Sequence, residues 1–369
     1  MRLLLRTGIA EYMGADERNQ GAAFAEGVAR LEQGAVLSRA DARALMELIL
    51  RGEATDGQIG AFLLALRERG ETADELVGFA EAMRAHARPV FGAVPRPAGP
   101  LLDTCGTGGD GAGTFNVSTA AAFVAAGAGA RVAKHGNRSL SSRCGSADVL
   151  EALGVNLLAE PDIAAAAIVE VGIGFLFAPA FHTAMKHAQK ARRELKVRTV
   201  FNLLGPLTNP ARVEAQVMGI YEARWLEPAA TTLRDLGVRR AFVLHSRDGL
   251  DEASLSAETD IAEVRDGAIH RSTITPEDFG LPRAPKEALA GGDAETNRRI
   301  LEAVLAGERG PQRDAVLMNA ALALVAADRA ANFKAGVQLA AESIDSGAAR
   351  ERLRALVEFT NRNRNEVKA

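Results

Sequence analysis

The first part of the chain repeats apolar residues at the three- and four-residue spacing of amphipathic helices. Ser38 and Thr55 stand where N-cap residues are expected, and Gly52 and Gly70 follow the last residues of two runs. The four predicted helical runs are Phe24–Glu32, Ser38–Arg51, Thr55–Arg69 and Glu71–His86. This pattern predicts a small helical domain at the N-terminal end.

The pattern changes beyond the next segment, Arg88–Pro100, which carries four prolines and cannot continue a helix. We interpret this segment as a linker. From Leu101 onward, short β-branched or apolar runs alternate with helical runs, which predicts a mostly parallel sheet with helices on its faces. Asp260–Ile274 turns at Asp266-Gly267 and predicts an antiparallel hairpin. The remaining chain is predicted to be helical. The fold class is therefore α/β.

A glycine-rich stretch lies between the predicted strand end at Leu101 and an alanine-rich helical run. Its five glycines are residues 106, 108, 109, 111 and 113. Glycine adopts positive φ and lets successive N–H groups approach a ligand, which suits a phosphate or pyrophosphate. The first turn of the following helix, with Asn116, Ser118 and Thr119, would direct further N–H groups at the same anion. A structural glycine turn is the alternative, and Ser118 and Thr119 could act simply as N-caps.

The glycines alone do not identify which class of phosphate-binding loop this stretch forms. Gly106, Gly108 and Gly111 satisfy the dinucleotide pattern GxGxxG, but a lone match is weak. A dinucleotide site needs an acid about 20 residues on, whereas the next strand ends in the basic residues Lys134, His135 and Arg138. The GK[ST] sequence of a Walker A loop is absent as well.

Composition and charge limit the function classes. The chain has 369 residues, 47% of them hydrophobic and 25% charged, with a formal net charge of −3. This balance gives no case for nucleic acid or an anionic membrane as the main partner, so anion binding must be local. Two cysteines are too few for a disulfide framework. With no signal-peptide pattern and no apolar run of membrane-spanning length, we expect a cytoplasmic protein.

Several longer runs, in the same order, carry a resemblance to a known family. They are GTGGDG, NVST, KHGNR, GSADVLEALG and FLFAPAFHTAMKHAQKARRELKVRTVFNLLGPLTNP. From about Phe24 to the C-terminus the chain resembles the anthranilate phosphoribosyltransferase family. The resemblance implies transfer of the phosphoribosyl group of 5-phosphoribosyl 1-pyrophosphate (PRPP) to anthranilate, the second step of tryptophan biosynthesis. It also implies Mg²⁺ as cofactor, a nucleoside phosphorylase-like fold and a homodimer formed through the helical domain.

The resemblance refines the predicted domains, because the family's small domain includes a later helical insertion. Residues 1–22 have no clear counterpart and are expected to form a poorly ordered extension. Residues 23–98, with about 179–206, are expected to form the helical domain. Residues 99–178 and 207–369 are expected to form the α/β domain that binds PRPP.

By resemblance, PRPP is held by the glycine loop, the next helix turn and the KHGNR loop. A basic run of this kind would otherwise be a solvated surface patch. The matching positions are Gly106, Gly109, Asp110, Thr114, Asn116, Val117, Ser118, Thr119, Lys134, His135, Gly136, Asn137, Arg138, Ser139, Leu140, Ser141, Ser142 and Ser146.

Magnesium prefers oxygen ligands. Asp251 and Glu252 in DGLDE match the family's acidic metal pair, and Ser118 would also reach the ion. Without the resemblance, adjacent acids in a loop would be solvated charges. No histidine or cysteine spacing suggests zinc.

Anthranilate needs a cation for its carboxylate and an apolar slot for its ring. A helix over Phe181–Leu195 would place His182 and Arg192 on one face. The resemblance aligns Arg192 with the family's anthranilate-binding arginine, whose guanidinium can grip a carboxylate in two hydrogen bonds; Arg193 is the neighbouring candidate for a solvated charge. The implied anthranilate contacts are Gly106, Asn137, Pro179, His182 and Arg192.

Because pyrophosphate is a good leaving group, catalysis should rest on positioning and electrostatics. The residues expected to act on the reacting groups are His135, Asn137 and Arg192. His135 either accepts a proton from the amine or orients its neighbours. Lys196 stands where glycine is common in this family, which leaves the turn after the predicted helix open.

Two other functions compete with this interpretation. A pyrimidine nucleoside phosphorylase shares the overall fold, but it carries lysine before the glycines, where this chain has Asp103-Thr104-Cys105. A non-catalytic nucleic-acid-binding relative would need a basic surplus, which the net charge of −3 does not provide.

Overall fold

The computed structural model describes residues 15–139 and 143–366, which contain fifteen α-helices and seven β-strands. The helices are α1 (Ala15–Glu32), α2 (Arg39–Arg51), α3 (Asp56–Arg69), α4 (Ala73–His86), α5 (Val117–Gly127), α6 (Ser146–Ala152), α7 (Pro161–Glu170), α8 (Ala178–Phe181), α9 (Gln189–Leu195), α10 (Val200–Leu207), α11 (Leu226–Asp235), α12 (Ala294–Leu305), α13 (Pro311–Ala326), α14 (Phe333–Asp345) and α15 (Ala348–Glu366). The strands are β1 (Leu101–Thr104), β2 (Arg131–Gly136), β3 (Ile173–Phe177), β4 (Ala215–Gly219), β5 (Arg240–Ser246), β6 (Thr259–Arg265) and β7 (Ala268–Ile274).

The chain divides into two units. One comprises the chain up to Ala87 together with His182–Leu204, and the other comprises Arg88–Phe181 with the chain from Gly205. Helix α1 begins at Ala15, so residues 15–22 of the segment expected to be a poorly ordered extension are helical. Residues 1–14 lie outside the described part.

The predicted linker at residues 88–100 contains no helix or strand, but it belongs to the larger unit. The guanidinium of Arg96 donates to the Glu214 carboxylate at 2.6 Å. The other oxygen of Glu214 accepts from the Leu101 N–H at 2.9 Å. These bonds tie the segment to the start of β1 and to the residue before β4.

The helical unit is held by side-chain caps and by a buried ion pair. Thr55 and Thr72 each form a capping box with the residue three positions on. Glu75, the partner of Thr72, is fully buried, and the guanidinium of Arg69 donates to both of its oxygens at 2.6 and 2.7 Å. A buried carboxylate is stabilised by such charge-assisted bonds. The predicted helical runs of this unit are confirmed.

The larger unit contains a seven-stranded sheet in the order β3-β2-β1-β4-β5-β6-β7. Strands β3 to β5 in that order are parallel, and β6 and β7 form the antiparallel hairpin predicted around Asp266-Gly267. Because β2 and β3 extend the sheet on one side of β1, and β4 and β5 on the other, the winding reverses between β1 and β4. Ligands of such sheets bind at the carboxyl ends of the strands at this reversal. The predicted fold class is confirmed.

Helix α13 forms the centre of the larger core. Nearly all of its residues are buried, and they pack with α5, α14 and α15 in one apolar cluster. Two of the buried residues of α13, Arg313 and Asn319, are polar. Arg313 donates to the Asp345 carboxylate at 2.7 Å, whereas Asn319 contacts the loop after β5.

Candidate functional site

The glycine loop lies at the carboxyl end of β1, beside the point where the winding reverses. Gly108, Gly109, Gly111 and Gly113 have φ values of 63°, 77°, 74° and 68°. L-residues with side chains rarely adopt this region, so the backbone explains four of the five glycines. The fifth, Gly106, has another reason: a Cβ there would lie 2.9 Å from Oδ2 of Asp251.

Two neighbouring segments hold the glycine loop in place. The N–H of Thr107 donates to the carbonyl of Gly219, at the end of β4, at 2.9 Å. Residues 113–115 run antiparallel to residues 289–291, with two main-chain hydrogen bonds of 3.0 and 2.8 Å and a bridge between Thr114 and Ala290. The loop is therefore fixed at both ends. Asp110, between the anchors, accepts from the N–H of Ala112 at 3.1 Å.

Helix α5 begins without a side-chain cap. Asn116 occupies the N-cap position but makes no capping bond, and Val117 and Thr119 are buried inside the unit. Capping by Ser118 or Thr119, the structural alternative from the sequence, is therefore wrong. The N–H of Ser118 instead donates to Oε1 of Glu252 at 3.0 Å.

The acidic pair of the DGLDE loop lies against the glycine loop and the start of α5. Oδ2 of Asp251 accepts from the N–H of Gly108 at 2.7 Å, and Glu252 accepts from the N–H of Ser118. The two carboxylates predicted to bind metal thus accept hydrogen bonds from main-chain N–H groups that were predicted to bind an anion. Adjacent acids of this kind are not merely solvated surface charges.

Burial makes this pair reluctant to carry two negative charges. It raises the pKa of Asp251 to about 7, with repulsion from Asp110 as the next cause. Burial, followed by repulsion from Asp251, also holds the pKa of Glu252 well above its usual range. A cation placed between these groups would favour their charged forms and so oppose both causes. The oxygen-rich donor set suits Mg²⁺.

The KHGNR run at the end of β2 begins buried and ends exposed: Lys134 and His135 are buried, whereas Asn137 and Arg138 are exposed. Lys134 is 3% exposed, and its ammonium donates to the carbonyl of Thr104 at 2.6 Å, directly under the glycine loop. Burial lowers the pKa of Lys134, and it raises the pKa of the fully buried Asp103 to about 6. A solvated basic patch is therefore excluded for Lys134.

His135 is buried next to Lys134. Its main-chain N–H donates to Asp103 at 3.1 Å, and its Nδ1 lies 3.1 Å from the carbonyl oxygen of Gly205. Because a carbonyl only accepts, Nδ1 carries the proton in this contact and Nε2 is the acceptor nitrogen of the neutral ring. At Gly136, the next residue, a Cβ would lie 2.3 Å from Oγ of Ser146.

The loop after β2 contacts the start of α6. The Asn137 carbonyl accepts from Oγ of Ser146 at 3.4 Å. The guanidinium of Arg138 forms a double hydrogen bond with Glu151 at 2.8 and 2.9 Å, and the N–H of Ser139 donates to Asp148 at 3.0 Å. Arg138 therefore directs its charge toward α6. Leu140, Ser141 and Ser142 lie outside the described residues.

The predicted anthranilate residues belong to both units. Pro179 is found in α8 of the larger unit, whereas His182 and Arg192 belong to the helical unit. The single helix predicted over Phe181–Leu195 is wrong. His182 has non-helical dihedrals, and a 3₁₀ segment, Thr183–Ala188, precedes α9. A 3₁₀ turn has about three residues, so the predicted common α-helical face does not exist.

Arg192 stacks on an aromatic ring. Its guanidinium carbon lies 5.0 Å from the ring centre of Phe201, and burial lowers its pKa. Within the described residues of the helical unit, no carboxylate lies within ion-pair distance of Arg192, while the neighbouring Lys190 pairs with Asp56 at 2.8 Å. Arg192 thus keeps its hydrogen-bond donors for another group.

Several residues that shape the site were not predicted from the sequence. Gly219 is one, because a Cβ there would lie 1.4 Å from the carbonyl oxygen of Asp251. Asn297 is another: it is 1% exposed and donates to Oδ1 of Asn116 at 2.9 Å. Asn209, fully buried, donates to Asp103 at 2.7 Å.

Both cysteines, Cys105 and Cys144, are free thiols, and burial raises the pKa of both. Within residues 15–139 and 143–366, no group of three or more His, Cys, Asp or Glu side chains is arranged to hold a metal ion. None of the described helices combines the length and apolar character needed to cross a membrane.

A glycine loop and an acidic pair at the winding reversal of an α/β sheet, with a separate helical bundle, define a class of glycosyltransferases. Residues 26–87 match the family described as "Glycosyl transferase family, helical bundle domain". Residues 98–350 match "Glycosyl transferase family, a/b domain".

Individual relatives narrow this class. The anthranilate phosphoribosyltransferase of Symbiobacterium thermophilum is 54% identical over 337 residues, 91% of this chain and 98% of the relative. The crystal structure of the Thermus thermophilus enzyme (TrpD) is similar at a TM-score of 0.85 and 47% identity, covering 90% of this chain and 99% of that one. The Saccharomyces cerevisiae enzyme in complex with PRPP and Mg is similar at a TM-score of 0.81 and 30% identity, covering 88% and 94%. The chain belongs to the anthranilate phosphoribosyltransferase family.

Proposed function

We propose that this protein transfers the 5-phosphoribosyl group of PRPP to the amine of anthranilate, the second step of tryptophan biosynthesis from chorismate. The C1–oxygen bond to pyrophosphate breaks, a bond from the amine nitrogen to C1 forms, and the amine loses a proton. One observation carries the proposal: the carboxylates of Asp251 and Glu252 accept hydrogen bonds from the N–H groups of Gly108 and Ser118, at the glycine loop and the start of α5.

The pyrophosphate of PRPP is proposed to bind the glycine loop and the first turn of α5. Positive φ at Gly108, Gly109 and Gly111 turns the main chain of this loop around a small volume. The start of α5, which has no side-chain cap, adds the positive end of its dipole, while its Ser118 N–H donates to Glu252. Lys134, under the loop, adds a positive charge from below without reaching the surface.

Mg²⁺ is the cofactor that the acidic pair fits. Asp251 and Glu252 supply hard oxygens, and the Ser118 hydroxyl is proposed to add a third. Too few protein carboxylates are present for an all-protein cage in the described residues, and Mg²⁺ usually completes its shell with phosphate oxygens and water. When bound, the ion neutralises charge on the leaving pyrophosphate. The side chains of Asp251 and Glu252 would hold it against the loop.

Anthranilate is proposed to bind through its carboxylate to Arg192. The guanidinium stacks on Phe201, which fixes its plane and leaves its edge available for a double hydrogen bond. Asn137, Gly106, Pro179 and His182 remain the other proposed contacts of the acceptor. Asn137 is positioned by its carbonyl contacts to the start of α6.

Two roles are open for His135, and they make different predictions. With Nδ1 donating to Gly205, Nε2 is an acceptor that could take the amine proton. Alternatively, the His135 side chain only holds Gly205 in place, while its main-chain N–H holds Asp103. Substitution by Gln keeps a hydrogen-bonding side chain, so a changed pH–rate profile favours proton transfer and an unchanged one favours positioning.

The proposed assembly is a homodimer formed through the helical unit. Val36 and Leu64 of this unit are 53% and 39% exposed, and these are the apolar side chains that we propose to bury at the interface. Sedimentation of the protein and of its Leu64→Arg variant tests this proposal. A monomeric unmodified protein would contradict it.

The enzymatic test uses PRPP, Mg²⁺ and anthranilate. We expect the fluorescence of anthranilate to fall with time, and pyrophosphate to appear in equal amount. Omitting Mg²⁺ should stop the reaction. Phosphorolysis of thymidine, or DNA binding without turnover, would instead support one of the two rejected functions.

A further inference from the structure

A single asparagine interrupts the apolar middle of α13. Asn319 is 5% exposed, and its neighbours Met318 and Ala320 are fully buried. Burying an amide side chain without hydrogen bonds costs about 1–3 kcal/mol. The partners of this side chain therefore indicate its purpose.

Asn319 pairs with both polar groups of one residue in the loop after β5. Its Oδ1 accepts from the Ala253 N–H at 3.0 Å, and its Nδ2 donates to the Ala253 carbonyl at 3.1 Å. A further bond from Nδ2 to the carbonyl of Ala315, within α13, fixes the orientation of the amide at 3.0 Å. This double contact resembles the pairing of two strands, but it is made by a side chain.

The residue that Asn319 holds is adjacent to the acidic pair. Ala253 directly follows Glu252, whose own carbonyl accepts from Oγ of Ser246 at 2.6 Å. No helix or strand includes residues 247–258, so these side-chain contacts replace regular secondary structure. They hold the main chain that carries the carboxylates of Asp251 and Glu252.

We propose that Asn319 is a positioning residue for the metal-binding pair. It sets the main chain at Ala253 so that the carboxylates of Glu252 and Asp251 face the start of α5 and the glycine loop. Without this contact, the main chain at Ala253 would lose both hydrogen bonds that hold it against α13. The inference rests on the proposed function of the pair, but its structural part is testable without turnover.

The test compares three variants of the full chain. Asn319→Leu removes both hydrogen bonds to Ala253, and the one to Ala315, at similar side-chain volume. Asn319→Asp keeps an acceptor but loses the donor. Ser343→Ala is the matched control, because it removes a buried hydroxyl that donates to the Val124 carbonyl at 2.8 Å in the same core, away from the loop. If Asn319→Leu does not fold, Asn319→Asp and Ser246→Ala carry the test.

Two measurements are made on each variant. Hydrogen exchange of residues 248–256 in the metal-free protein reports loop order, and the Mg²⁺ concentration for half-maximal rate reports the metal site. We expect faster exchange and an increase of about tenfold in that Mg²⁺ concentration for the Asn319 variants, with the anthranilate KM nearly unchanged. The Ser343 variant should lose stability but show neither effect.

The inference is overturned if a folded Asn319 variant keeps the exchange rate of the unmodified protein. It is also overturned if exchange is faster while the Mg²⁺ dependence stays the same, since Asn319 would then have only a structural role. If the unmodified protein has no transferase activity, the proposed function fails separately. Direct Mn²⁺ binding, measured by electron paramagnetic resonance, then replaces the rate as the second measurement.

Discussion

Oδ2 of Asp251 lies 2.7 Å from the main-chain nitrogen of Gly108, so a carboxylate accepts a hydrogen bond from the loop proposed to bind pyrophosphate. The carboxylate and a phosphate oxygen cannot both take this N–H, and their charges repel. Binding of PRPP therefore requires Asp251 to move or to share a cation with the pyrophosphate. We therefore propose that the acidic pair excludes a bare anion and attracts a metal-bound one.

Removing the charge of the Asp251 carboxylate should separate the exclusion of a bare anion from the binding of a metal-bound one. In Asp251→Asn we expect metal-free pyrophosphate to bind about tenfold more tightly, while the Mg²⁺-supported rate falls by about 10- to 100-fold. Calorimetry without metal and a Mg²⁺ titration of the rate measure these changes. Asp266→Asn, the same substitution in the exposed turn between β6 and β7, is the control. Weaker metal-free binding in Asp251→Asn would contradict the competition.

The raised pKa of Asp251, about 7, predicts a pH dependence. Metal binding needs the charged form, so Mg²⁺ affinity should rise about tenfold per pH unit below about pH 7 and level off above it. The stability of the metal-free protein should show the opposite trend and fall as pH rises. Because the pKa is raised on folding from 3.8, this group favours the folded state at low pH, and that contribution is lost as pH rises through about 7. Metal titrations and urea unfolding at several pH values measure both trends.

Gly219 should not tolerate any side chain. A Cβ would lie 1.4 Å from the carbonyl oxygen of Asp251, and relieving this overlap requires the acidic loop to move. We expect Gly219→Ala to lose activity and about 3 kcal/mol of unfolding free energy. Gly60→Ala, in open space on α3, is the control and should not destabilise the protein. Wild-type activity in Gly219→Ala would show that the observed position of the acidic loop is not required.

Arg192 and Arg193 are adjacent arginines with different expected roles. Arg192→Ala should raise the anthranilate KM and lower kcat/KM, because the carboxylate loses its cation. Arg193→Ala, which changes an exposed residue, should have little effect. Arg192→Lys should recover only part of the activity, since an ammonium cannot form the double hydrogen bond. Steady-state kinetics with varied anthranilate distinguish these outcomes, and an unchanged KM in Arg192→Ala would remove this residue from the site.

Lys196 ends α9 in the left-handed region, with φ 52° and ψ 28°. This conformation costs a residue with a side chain about 1 kcal/mol, and glycine adopts it freely. Lys196→Gly should therefore raise the unfolding free energy by about 1 kcal/mol. Glu194→Gly, inside α9, should lower it by about the same amount. Thermal or urea unfolding measures both, and destabilisation by Lys196→Gly would contradict the strain.

The glycine loop and the capped helices were predictable because their causes are local. Positive φ at Gly108 and the capping box at Thr55 each depend on only a few adjacent residues, which the sequence shows directly. The break at His182 was not predictable, because 3₁₀ and α spacings differ by less than one residue per turn. Gly219 and Asn319 were missed because their partners, Asp251 and Ala253, are distant in the chain. Only the folded sheet brings these pairs together.

The antiparallel pairing of residues 113–115 with residues 289–291 has a consequence for biosynthesis of the protein itself. During translation, the glycines leave the ribosome long before the segment that closes their loop. A chain released before Gly291 would carry the recognisable motifs but lack half of the frame around them. Truncation products ending upstream of this point should therefore be inactive, however complete their signature sequences are.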